Sequence, residues 1–176
     1  MVLRRLKPEP GDRLSAVAAA NDYVGPDING VKFGQALLSP PFSRPTGGFE
    51  APPFIPGNNI PAGDWQPATS EMDGVLMLDL QPTTGEFVFA ARYIYAPITV
   101  EESQDVEVLI GSDDTLEVWF EGKKILEHLS PRPVQLGDNH VRLRLKPGVN
   151  HLYFRVDNHG GAWRLIAKIE PLRIPQ

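Results

Sequence analysis

Val108-Leu109-Ile110-Gly111-Ser112-Asp113-Asp114-Thr115-Leu116-Glu117-Val118-Trp119-Phe120-Glu121-Gly122-Lys123-Lys124-Ile125 is the stretch that decides the fold class. On its N-terminal side Val106, Val108 and Ile110 point one way and Glu107 the other. On its C-terminal side Leu116, Val118 and Phe120 oppose Glu117 and Trp119. A period of two places one face of each segment in a core and leaves the other for water or a second layer. Gly-Ser-Asp-Asp between them reads as a hairpin turn, since Asp side chains bond nearby backbone N–H groups.

The pattern extends in both directions. Residues 74–80 form an apolar run, and Glu86–Tyr95 places Phe87, Phe89, Ala91, Tyr93 and Tyr95 on one face. Val141, Leu143 and Leu145 alternate with His140, Arg142 and Arg144. Leu152, Phe154 and Val156 alternate with His151, Tyr153 and Arg155, and Trp163, Leu165, Ala167 and Ile169 with Arg164 and Lys168. Seven such segments, split by turn signals and with no helical pattern between them, predict an all-β antiparallel sandwich over residues 72–176. Residues 25–71 have a different texture. Nine Pro and seven Gly fall between Gly25 and Pro67, a density that excludes a long helix. Phe33, Phe42, Phe49, Phe54 and Trp65 are interspersed, whereas disordered linkers are poor in aromatics. This segment is therefore expected to be an ordered, irregular wrap packed on the sandwich. Residues 1–24 form an N-terminal extension with a possible short helix over 12–21.

Composition narrows the function. The net charge is -5, from 17 Lys and Arg against 22 Asp and Glu, which argues against nucleic-acid binding. The absence of cysteine removes disulfides, thiolate metal sites and cysteine nucleophiles. No run of about 18 apolar residues offers a membrane span. Met1-Val2-Leu3-Arg4-Arg5 leads into no apolar stretch, so no signal peptide is expected in this chain. There is no Gly-x-Ser-x-Gly elbow, His-Glu-x-x-His, phosphate loop or Gly-x-Gly-x-x-Gly, so a catalytic role is not expected.

The 108–125 stretch resembles the "G-S-D-D-G-x-x-V-W-x-N-G-K-x-V" segment of galactose-binding-like and protective-antigen-like jelly-roll domains, with Thr115 in place of Gly and Glu121 in place of Asn. Leu145-Lys146-Pro147-Gly148-Val149-Asn150-His151-Leu152 is similar to the "L-K-x-G-x-N-x-L" turn of those domains. Val156-Asp157-Asn158-His159-Gly160-Gly161-Ala162-Trp163 is similar to their "V-x-N-G-G-G-x-W" loop. The resemblance covers roughly residues 86–170. It implies a jelly roll appended to bacterial extracellular enzymes, hence an extracellular or periplasmic setting within a larger protein. The function it implies is a non-catalytic, lectin-like accessory module. Sugar binders, calcium-stabilised modules and modules without a ligand all share the fold.

The candidate residues follow from side-chain chemistry. Asp113 and Asp114 can hold Ca²⁺ through oxygen ligands, or serve only as turn formers. Asp157, Asn158 and His159, followed by two glycines, form a polar loop suited to sugar hydroxyls. Trp163 supplies a ring for the apolar sugar face if it is exposed, and closes the core if it is not. Trp65 is either a binding platform or a plug over the sandwich. The triplet Asp-Asn-His also occurs at residues 138–140, where Asx turns account for it. The expected function is carbohydrate binding. The alternative is a structural or protein-interaction domain that uses Phe42, Phe49 and Phe54 of the wrap.

Overall fold

The alternating segments form two antiparallel sheets packed face to face. The computed structural model describes residues 31–43, 54–70, 74–82 and 89–172. The possible helix at 12–21, the N-terminal extension, Phe49 and Phe87 lie outside these residues. Thirteen strands follow in order: β1 (Ala36–Leu38), β2 (Phe42–Ser43), β3 (Gln66–Ala68), β4 (Leu76–Asp79), β5 (Ala90–Tyr95), β6 (Ile98–Val100), β7 (Gln104–Asp113), β8 (Leu116–Phe120), β9 (Lys123–His128), β10 (Asn139–Leu145), β11 (Gly148–Asn150), β12 (Leu152–Asn158) and β13 (Arg164–Pro171). One sheet runs β3-β1-β5-β12-β8-β9, with β2 also pairing β5. The second runs β10-β7-β13-β4, and β11 pairs with β6. No helix occurs among the described residues.

The core fills the space between the sheets. Leu152, Phe154 and Val156 of β12, with Leu116 and Val118 of β8, meet Val106, Val108 and Ile110 of β7 and Leu165 and Ala167 of β13. Trp163 is 0% exposed, and its indole N–H donates to the Val156 carbonyl at 3.2 Å.

Asp113 and Asp114 do not sit in a hairpin. β7 pairs with β10 and β13, whereas β8 pairs with β12 and β9. The two aspartates therefore lie where the chain crosses from one sheet to the other. The hairpin of this stretch comes later, between β8 and β9, where Glu121 (φ 50°) and Gly122 (φ 78°) are both left-handed, as a type I′ turn requires. Glu121 thus occupies the conformation that Asn more readily accepts. Its backbone N–H donates to the His151 carbonyl at 3.0 Å, and its Oε1 accepts from the His151 N–H at 2.6 Å.

The outer face of the larger sheet is a second apolar layer, built from Tyr93, Tyr95, Trp119 and Tyr153. The Pro-rich segment covers it with Leu37, Phe42, Phe54 and Trp65. Phe54 packs on Trp65, Tyr93 and Tyr153 at 5.3–5.5 Å. The Tyr153 hydroxyl donates to the Asn59 carbonyl at 2.5 Å. Burial pushes the Tyr93 hydroxyl up to about 12, Arg155 opposing and Glu117 adding to the shift. Burial also raises Tyr153 and Tyr95. The folded state therefore favours the neutral phenols. Their contribution is fully present below about pH 10, the ordinary tyrosine value, and is lost as pH rises through the folded values, because only the unfolded chain ionises in between. Urea unfolding at pH 11.5 is expected to give a stability lower than at pH 9 by about 2 kcal/mol or more. Absorbance at 295 nm should show these tyrosinates appearing together with unfolding. Ionisation of more than one of the four tyrosines at pH 10 in the folded protein, Tyr23 lying outside the described residues, would contradict the buried aromatic layer.

Candidate functional site

Two segments far apart in sequence meet at one end of the sandwich. The Asp114 and Thr115 N–H groups donate to the Asp157 carbonyl at 3.1 and 3.4 Å. In return the His159 N–H donates to Asp114 Oδ2 at 2.5 Å. The Asp113–Asp114 crossover and the loop leaving β12 thus form a single structure, held at the Asp157 carbonyl and at the Asp114 carboxylate.

Asp113 is half-buried beside Asp114. Burial comes first and the Asp114 carboxylate second in raising the Asp113 carboxyl above the ordinary aspartate range, against the Val134 N–H and the Arg164 charge. Ser112, one step earlier, is fully buried and donates to the Asp114 carbonyl at 3.4 Å. Arg132, from the segment between β9 and β10, reaches the same Ser112 hydroxyl at 3.3 Å. That segment lies close enough that a Cβ at Gly111 would come within 2.0 Å of the Gln135 carbonyl oxygen. Only glycine fits at this crossing.

The loop's side chains divide into those that build it and those that face solvent. Asp157 is the penultimate residue of β12, opposite Ala91, and turns to Arg155, which it binds through Nε at 2.9 Å and Nη2 at 3.4 Å. Asn158 is 0% exposed, and its Oδ1 accepts the Gly160 N–H at 2.9 Å. Both were expected to contact ligand. Instead, Asp157 neutralises a buried arginine and Asn158 fixes the turn that follows. Of the two roles open to Trp163, burial leaves that of closing the core: its ring lies wholly between the sheets and has no face to offer a sugar. Trp65 sits against Tyr153 at 6.2 Å, four positions along β12 from Asp157 or about 13 Å at strand rise. It caps the aromatic layer and does not join the loop.

His159 remains half-exposed, and Gly160, Gly161 and Ala162 are exposed. Gly160 (φ 137°) and Gly161 (φ 85°) adopt conformations that leave backbone groups open to approach. Phe89, which the alternation placed on a strand face, stands beside this loop instead. It is 45% exposed, and its ring centre lies 6.3 Å from that of His159.

Of the oxygens here, Asp114 Oδ2 accepts the His159 N–H, the Asp157 carbonyl accepts two N–H groups and Asn158 Oδ1 accepts the Gly160 N–H. Asp113 and Asp114 are like charges held together, and a cation would relieve that repulsion. Among the described residues no group of three or more His, Cys, Asp or Glu side chains gathers. Further ligands would therefore come from main-chain carbonyls, amide oxygens or water.

No protein-family model matches this chain, and no curated protein does. Among solved structures it is similar to the PA14 domain of the antifreeze protein MpAFP, at 13% identity and a TM-score of 0.40, over 51% of this chain and 47% of that one. It is also similar to a PA14 sugar-binding domain from an RTX adhesin, at 13% identity and a TM-score of 0.37, over 46% of each chain. A glycosyl hydrolase family 2 member from Bacteroides cellulosilyticus matches at 11% identity and a TM-score of 0.46, over 80% of this chain and 20% of that one. The chain spans less than half the length of each of these structures.

Proposed function

We propose that this domain is a non-catalytic carbohydrate-binding module, part of a larger extracellular or periplasmic protein, whose ligand sits on the Asp113–Asp114 and Asn158–Gly161 end of the sandwich. The observation that carries the proposal is the reciprocal hydrogen bonding of these two segments, main chain to main chain at the Asp157 carbonyl and main chain to side chain at the Asp114 carboxylate. It gathers a carboxylate pair, an imidazole and two open glycines on a frame anchored to both sheets. Sugar hydroxyls are read by such fixed polar groups, and rigid sheets give loops the precision that weak ligands need. Asp113 and Asp114 would hold Ca²⁺, which when bound supplies a positive centre for hydroxyl oxygens. His159 and the Gly160–Gly161 backbone then orient the ligand, while Asn158 keeps the turn in shape.

A glycan screen with and without calcium tests this reading. Binding is expected in millimolar CaCl₂ and should be lost in EDTA. Calcium at about 100 times its dissociation constant should stabilise the fold by about 3 kcal/mol. Asp113→Asn should abolish both effects. Identical melting curves in EDTA and calcium would remove the metal, and a blank screen would remove the sugar.

One observation favours the alternative, a protein-interaction domain. Ile55 and Ile60 of the Pro-rich segment are 80% and 63% exposed, while Phe42 and Phe54 of the same segment are turned onto the aromatic layer. If no glycan binds, Ile55 and Ile60 are the surface to test against a partner.

A further inference from the structure

Phe89 is at odds with its surroundings in two respects. Its backbone is left-handed, at φ 55°, a region where a bulky residue is a true outlier and where Gly or Asn would sit without cost. Its ring, which could have turned inward, is 45% exposed. The next residue, Ala90, is fixed between Asn158 and Ser43 in the sheet, so the corner at 89 sets where the ring stands. It stands against His159, with ring centres 6.3 Å apart and planes inclined at 53°, and Asp114 holds the main chain of His159. Residues kept in costly backbone conformations cluster at ligand sites, because the position of the side chain is what the conformation secures.

The polar part of the site also lacks something. Carboxylates, an imidazole and backbone groups recognise hydroxyls, and they would do so equally on a ring or an open-chain polyol. A flat apolar surface against the C–H face of a pyranose adds a contact that a flexible open-chain polyol does not match. Trp163 cannot provide one, being in the core, and Trp65 belongs to the aromatic layer of the larger sheet.

We propose that Phe89 is the stacking platform of this site, and that the ligand class is therefore a hexopyranose presenting an apolar ring face. This assignment rests on the carbohydrate reading above.

Calorimetric titration of the wild type, Phe89→Asn and Phe89→Trp with methyl glucopyranoside, methyl galactopyranoside and sorbitol, all in the same calcium buffer, tests it. The wild type is expected to prefer at least one pyranoside over sorbitol by about tenfold or more, the equivalent of one stacked ring. Phe89→Asn should bring that ratio close to one by weakening the pyranoside and leaving sorbitol unchanged, and Phe89→Trp should keep the preference. Asn accepts the left-handed corner, so the Tm of Phe89→Asn should be unchanged or raised by up to about 4 °C. A Phe89→Asn protein that keeps the ring preference overturns the assignment alone. So does a Tm loss of several degrees, which would make the ring a structural prop, or a wild type that binds sorbitol as well as the pyranosides. A wild type that binds neither pyranoside while the glycan screen is positive overturns this assignment alone, and a blank glycan screen removes the carbohydrate reading and this assignment with it.

Discussion

Trp163→Ala is expected to destabilise the domain by about 3–5 kcal/mol, the range for removing a fully packed aromatic side chain. At this size the change corresponds to a fall in Tm of roughly 6–20 °C. The indole fills the space between the sheets next to the loop, and its N–H satisfies the Val156 carbonyl. Two terms therefore add: the cavity left behind and the lost indole hydrogen bond. Trp163→Phe separates them. It keeps most of the ring volume, and its cost should fall well below that of the alanine variant, with about 1 kcal/mol belonging to the hydrogen bond. Urea titration of both variants gives the two numbers. A loss below about 1 kcal/mol for Trp163→Ala would be incompatible with a closed core at this end.

The second large effect is expected at Arg155. Its guanidinium lies on the outer face of the larger sheet, bonded to Asp157 as above, and Nη1 is 3.2 Å from Glu117 Oε2. It also lies over the Phe42 ring at 5.6 Å. All three charged groups are largely out of water beneath the Pro-rich segment. Arg155→Met keeps the bulk but leaves Asp157 without its counter-charge and Glu117 with Lys124 alone, and removing one partner of a buried pair costs about 3–5 kcal/mol. The charge assignment is checked by neutralising all three positions together, as Arg155→Met, Asp157→Asn and Glu117→Gln. The triple variant should recover most of the stability lost by the single one, because no uncompensated charge remains. If the single substitution costs less than about 1 kcal/mol, the trio behaves as a hydrated surface pair and the cover above it is open.

The sandwich was legible in the sequence because strict alternation in β7, β10 and β13 reports burial directly, while in β8 and β12 the same alternation separates two covered faces. β9 was not legible. Its Lys-Lys-Ile-Leu-Glu-His sequence has no period of two, since the strand is an exposed edge paired to β8 across an irregularity at Val118 and Trp119. β6 and β11, with three residues each, are too short to show a period. The crossover at Asp113–Asp114 was read as a hairpin because each flanking strand alternates identically whether its neighbour in sequence is its partner or lies in the opposite sheet. At the site, the two glycines marked the loop correctly, but Asp157 and Asn158 belong to the last turn of strand pairing, so their side chains serve Arg155 and Gly160. Phe89 was invisible as a site residue. No glycine or asparagine announces its left-handed corner, and strand alternation alone assigns it to a sheet face.

The strand order also has a bearing on biosynthesis. β12 lies between β5 and β8, and β13 lies between β7 and β4, so the strand completing the middle of each sheet comes from residues 152–171. During translation, β5 and β8 emerge from the ribosome with no strand between them, and β7 and β4 likewise. Both pairs present open edges and bare apolar faces until residues 152–171 emerge. Neither sheet can therefore be completed before residues 152–171 are available, and until then its strand edges are open to pairing with other chains.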